Sequence, residues 1–168
     1  MPNTFIKIAA VTVGSGGASS IDFTSIPSTY TDLCVKISAR GTSSFASNGH
    51  FYAITLNNLT SNRTQRFLQG DGSGTASGSS SSFTSYMDPS DYTASTFANN
   101  EMYITNYAGS TNKSMSLDVV TENNATASFA AFYAQLWSNA AAIDRVTLTP
   151  NAGNFAQYST AILYGIKN

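Results

Sequence analysis

Apolar residues in this chain recur at every second position, in short runs separated by polar turns, which is the periodicity of strands. The clearest run is Thr31 to Arg40. Leu33, Val35 and Ile37 share one face there, with Lys36, Ser38 and Arg40 on the other, as in an antiparallel strand with one face in a core and one in water. Thr4-Phe5-Ile6-Lys7-Ile8 opens a strand to Val13. Ile6 and Ile8 point inward, and a slip is needed to bring Val11 or Val13 to the same side. Gly14-Ser15-Gly16-Gly17 then predicts a turn, followed by a short strand around Ile21-Asp22-Phe23.

Further strands are predicted over Phe51 to Leu56, Arg63 to Leu68, Glu101 to Tyr107, Lys113 to Thr121, Ala127 to Trp137, Ile143 to Leu148 and Thr160 to Ile166. Met115, Leu117 and Val119 share a face of one; Ile162, Tyr164 and Ile166 share a face of the last. Ala127 to Ala134 is alanine-rich enough for a helix, but Phe129, Phe132, Tyr133 and Trp137 favour a strand. The pattern predicts an all-β chain, a single antiparallel β-sandwich of jelly-roll type over residues 1–168. Its expected core and corner residues are Pro27, Tyr30, Leu33, Val35, Ile37, Leu117, Trp137, Ile143 and Tyr164. Pro27 presets the backbone of the Ile26-Pro27-Ser28-Thr29-Tyr30 corner. Residues 70–82 contain no apolar side chain larger than alanine and read as an exposed, mobile Gly/Ser-rich loop. Asp71, Ser73 and Thr75, with Tyr86 and Tyr92 nearby in sequence, are the candidate interaction residues.

Composition narrows the chemistry. Only 10% of residues are charged and 12% are aromatic, so the polar face is hydroxyl and carboxamide. A serine triad would have to use His50, the sole histidine, and no nucleophile elbow leads from a strand into a helix. Asp88 and Asp91 are separated by a turn-forming Pro-Ser, unlike a carboxylate pair facing across a cleft. Asp71-Gly72-Ser73-Gly74 offers a single carboxylate where calcium usually recruits several. The glycines at 14–17 precede no helix, so they are not a dinucleotide fingerprint. No catalytic residue, cofactor or metal is expected, and the chain reads as non-enzymatic.

A net charge of -1 and no basic stripe beyond Arg63 and Arg66 argue against nucleic acid, and no apolar run is long enough for a membrane span. The opening residues read as a strand and not as a secretory leader. Cys34, the single cysteine, is expected to be a small strand hydrophobe in a chain folding in a reducing cytosol.

Two stretches carry a resemblance. One runs from Thr4 through the glycine turn to Ile21-Asp22-Phe23-Thr24-Ser25-Ile26-Pro27-Ser28-Thr29-Tyr30-Thr31-Asp32-Leu33. The other is Gly153-Asn154-Phe155-Ala156-Gln157-Tyr158-Ser159-Thr160-Ala161-Ile162-Leu163-Tyr164-Gly165-Ile166-Lys167, preceded by the strand from Ala142 to Leu148. This framing resembles tailed-bacteriophage virion structural proteins, the small β-sandwich modules of heads and tail fibres. The resemblance implies a virion protein assembled in the bacterial host cytoplasm. Its implied role is capsid decoration (a cement protein), bound to the major capsid protein and to copies of itself as a homotrimer. The alternative it implies is a tail-fibre or receptor-binding module that recognises host surface glycan.

Overall fold

A computed structural model describes residues 4–124 and 128–167. Twelve strands lie within them: β1 (Phe5–Thr12), β2 (Ile21–Phe23), β3 (Asp32–Ala39), β4 (Phe51–Leu56), β5 (Arg63–Gly70), β6 (Thr75–Ser80), β7 (Thr84–Tyr86), β8 (Ala98–Ile104), β9 (Lys113–Val120), β10 (Ala130–Trp137), β11 (Val146–Pro150) and β12 (Thr160–Ile166). All strand pairs are antiparallel. Eight strands form one sheet in the order β1-β12-β3-β8-β9-β10-β5-β6, and four form the other in the order β2-β11-β4-β7. The chain is an all-β sandwich, as its periodicity predicts.

The alternation on β3 is realised as read: Leu33, Val35 and Ile37 are buried and Lys36 is exposed. Leu117, Trp137 and Ile143 join them in the core. The slip expected in β1 is a register shift against β12 between Lys7 and Ala9. The segment before Trp137 is strand from Ala130 onward; Ala127 lies outside the described residues. Strand β8 begins at Ala98, earlier than its apolar residues suggest. Asn100 hides the pattern: its buried carboxamide oxygen accepts from the Ser85 hydroxyl at 2.6 Å and the Tyr52 hydroxyl at 3.1 Å. The run from Ile143 shortens to Val146–Pro150, with Ile143 buried in the preceding turn.

One facing is reversed. On β12 the core receives Ala161, Leu163 and Gly165, while Ile162 and Tyr164 lie on the outer side. Tyr164 is therefore not a core residue; its ring meets Phe5 edge-on at 5.9 Å. Period-2 alternation identifies two faces but does not say which is inward when both are apolar. Tyr164 and Tyr103 flank Cys34 across the register, so its outward thiol is buried too, and burial pushes its pKa up to about 11. Cys34 packs as a small hydrophobe.

The Pro27 corner is anchored by a residue the pattern left unremarked. The Tyr107 hydroxyl donates to the Pro27 carbonyl and accepts from the Tyr30 amide at 3.4 Å. The half-buried Tyr30 ring lies against the backbone of Gly165, where any Cβ would collide with it. Across the smaller sheet, Asp22 of β2 accepts from Thr147 at 2.7 Å and from Arg145 at 2.7 Å, both near the β11 side, and from Ser20 at 2.7 Å. The Thr147 hydroxyl, with Arg145 and Ser20 behind it, holds the Asp22 carboxyl below its usual value against the opposing effect of burial.

Two outcomes follow from this packing. Because the folded Asp22 pKa is depressed, its contribution is present above the unfolded value and lost as pH falls through the folded one. Asp22→Asn should cost about 1–2 kcal/mol in urea unfolding at pH 7, a range kept low because the group is part-exposed, and the gap from wild type should close in acid. Leu33→Asp, an unpaired charge at a fully buried site, should abolish soluble folded protein; normal yield and a native melting curve would show that face to be open.

Candidate interaction surface

The residues most unusual for a soluble sheet lie on β10. Its buried positions are Ala131, Tyr133, Gln135 and Trp137, and its exposed positions are Ala130, Phe132, Ala134 and Leu136. The outward row is apolar throughout, whereas the inward row contains a carboxamide. Leu68 of β5 stands opposite Phe132, and Val120 of β9 stands opposite Ala130. Leu68 is 60% exposed, Phe132 50% and Val120 46%, so these are contiguous side chains left in water rather than scattered ones. A shallow depression of about 450 Å³ lies among them, and two smaller hollows border Ala134. Hydroxyls of Thr64, Ser114 and Ser116 surround the row, with Arg66 on one side and Asp118 on the other. Neither charge takes part in an ion pair among the described residues.

Beyond β5 the chain turns back as β6, paired from Gln65↔Ser80 to Gly70↔Thr75. The segment over 70–82 is exposed, as its composition predicts, but much of it is a paired strand and not a free loop. Apolar content was the wrong criterion, because ladder hydrogen bonds to β5 order a strand of serine, alanine and glycine. Gly78 is required there: the Phe67 ring lies where a Cβ would stand. At the tip, one Asp71 carboxylate oxygen accepts from the amides of Ser73 (2.9 Å) and Gly74 (2.7 Å) and from the Ser73 hydroxyl (3.0 Å). These bonds, the Ser73 amide first, hold the Asp71 carboxyl below its usual value. Gly72 supplies the positive φ of the turn.

The fold therefore gathers Asp71, Ser73 and Thr75 at the hairpin tip but not the two tyrosines. Tyr86 is buried in β7, its hydroxyl donating to Gln69 at 2.5 Å beneath the hairpin. Tyr92 is half-buried and stacks 6.0 Å from Phe45; burial pushes its pKa up to about 12.

His50 belongs to an aromatic stack, with its ring 4.0 Å from Phe45 and 6.0 Å from Tyr86; Tyr86 in turn lies 4.8 Å from Phe129. Burial lowers the His50 pKa despite opposing pulls from the Phe45 backbone and Asp91, so the ring is held neutral among hydrophobes. Among the described residues its buried Nδ1 has no hydrogen-bond partner. Close by in the fold, Asp88 is fully buried, and neither carboxylate oxygen has a hydrogen bond of normal geometry. Burial raises its pKa, offset in part by the Thr96 hydroxyl and the Arg40 guanidinium. Arg40 itself donates to the carbonyls of Ser90, Tyr92, Thr93 and Thr96 and clamps the loop that carries Asp88. Among the described residues no three His, Cys, Asp or Glu side chains cluster as metal ligands, and no helix is long and apolar enough to cross a membrane.

The outward row on β10 escaped the sequence reading, although a signal exists. Residues 130–137 are apolar at both odd and even positions, which marks a strand with two covered faces. Compared with known proteins, the sequence matches no family model and no curated protein.

Asp88 generates a prediction. With a raised folded pKa, its charge costs stability once pH climbs above the unfolded value, and the cost is complete above the folded one. Asp88→Asn should raise the urea midpoint at pH 7, by about 1–3 kcal/mol in stability, with no advantage in strong acid. A midpoint that falls at pH 7 would mean the carboxylate is engaged.

Proposed function

We propose that this chain is a non-enzymatic adhesion module of a bacteriophage virion, acting as a capsid decoration protein that binds the head surface and copies of itself. The observation that supports this reading is a broad outer sheet face carrying apolar and hydroxyl side chains. The apolar and hydroxyl contacts that such a face makes are not screened by salt. The Asp71–Ser73–Thr75 tip, held rigid by its own hydrogen bonds, is the element we assign to contact with the major capsid protein.

The strand order supports the jelly-roll reading that goes with this role. Setting aside β5, β6, β9 and β10 leaves two four-stranded sheets, β1-β12-β3-β8 and β2-β11-β4-β7. The chain alternates between them from β1 to β4, and again through β7, β8, β11 and β12, as in a double Greek key. On this reading β5-β6 and β9-β10 are two hairpins inserted into a jelly roll, and together they build the extension that carries the interaction surface.

The second reading, a tail-fibre or receptor-binding module for host surface glycan, rests on the same hydroxyl-rich tip and on the half-buried Tyr92. The two separate by adding purified protein to heads assembled without it and to host cells. Saturable coating of heads at a fixed ratio to the capsid protein, with greater resistance of the heads to heat, is the expected result. Binding to cells with no affinity for heads would transfer the assignment to the fibre. Glycan hydrolysis that disappears in His50→Gln would overturn both.

A further inference from the structure

We infer that the outer face of β9, β10 and β5 is covered by the same face of a second copy of this chain, in a two-fold dimer. The inference does not rest on the virion reading; it follows from the distribution of apolar and charged side chains on this face.

The apolar row is continuous along β10 and is widened by Leu68 on one side and Val120 on the other. Large residues alternate with alanine along it, so that Phe132 and Leu136 stand as ridges beside hollows at Ala130 and Ala134. A second sheet packing at the usual sheet-to-sheet spacing would fill those hollows with its own ridges.

The choice of occupant comes from the charges. Arg66 is in register with Ala134 on the β5 side of the row, and Asp118 is in register with Phe132 on the β9 side. Both are exposed and have no ion pair among the described residues. The line joining them crosses β10 between Phe132 and Ala134, at the middle of the row. In a two-fold interface residue i of one copy meets residue j of the other, and j meets i. An axis lying in the interface through that point, perpendicular to the line, sets Arg66 of each copy against Asp118 of the other and gathers Phe132 and Leu68 of both copies around it. The face is thus complementary to itself in charge, whereas a face meant for a basic or an acidic partner would carry one sign. A net charge of -1 also leaves little long-range repulsion between copies.

The test is sedimentation equilibrium on the intact chain across a range of concentrations, with circular dichroism to confirm that each variant is folded. Wild type should dimerise. Arg66→Asp and Asp118→Arg, both at exposed positions, should each weaken the dimer about tenfold or more by setting like charges across the axis. An equimolar mixture of the two should recover a dimer, because each heterologous contact then joins opposite charges. Phe132→Ser should give a folded monomer. A wild-type chain that stays monomeric at about 100 μM, well above the weak-affinity range expected for a stable face, overturns the inference. So does a dimer or trimer whose affinity is unchanged in Arg66→Asp, or a mixture that fails to recover association.

Discussion

The smaller sheet ends at β7, and an edge strand leaves backbone donors and acceptors without partners. In this molecule the edge is closed by a side chain. The Gln65 carboxamide oxygen accepts the Thr84 amide at 3.1 Å, and its nitrogen donates to the Thr84 hydroxyl at 3.2 Å. Gln135 on the neighbouring strand donates to the same Gln65 oxygen at 2.6 Å. Gln65 is 2% exposed, so these bonds form in a setting where an unmet amide would be costly. Gln65 thus ties the far half of the large sheet to the edge of the small one, which the large sheet curls to reach. Arg63 adds to the closure, donating to the Ile54 carbonyl at 3.1 Å and lying 5.5 Å from the centre of the Phe83 ring. Tyr86 on Gln69 completes it.

The curled sheet differs on its two sides. Inside, Phe45, His50, Tyr86 and Phe129 form an aromatic stack beside it. His50 is held there as a neutral ring among aromatics. Outside, β10 and its neighbours form a broad surface whose apolar row is exposed. One departure from ideal packing sits beside this region, the buried carboxylate of Asp88, close to the loop that Arg40 clamps. A charge kept at such a position marks the loop as a place where stability has been given up.

Much of the fold was legible from alternation. Strands β3, β4 and β12, the register slip in β1 and the Leu33, Val35 and Ile37 face all follow from it. What was missed has specific causes. Strand β6 is made of small polar residues, and β7 is too short for any period to show. The inward placement of Asn100, Gln65 and Gln135 was not legible because their partners come from distant segments. Tyr164 was expected in the core because Ile162 and Tyr164 are as apolar as Ala161 and Leu163, so the pattern does not say which face of β12 is inward. The candidate site was legible only at the hairpin tip, where Asp71 and Ser73 bond within their own turn.

By itself the sequence determined that this chain forms pleated ribbons, where most of them run, and that few ionisable groups are at hand. Those properties are local, set by side-chain period and residue type. Which face of each ribbon lies inward, which carboxamide closes which edge, and that an apolar row ends in water were decided only by the tertiary structure. Each depends on residues far apart in the chain meeting across a sheet, and no spacing along the chain encodes that meeting.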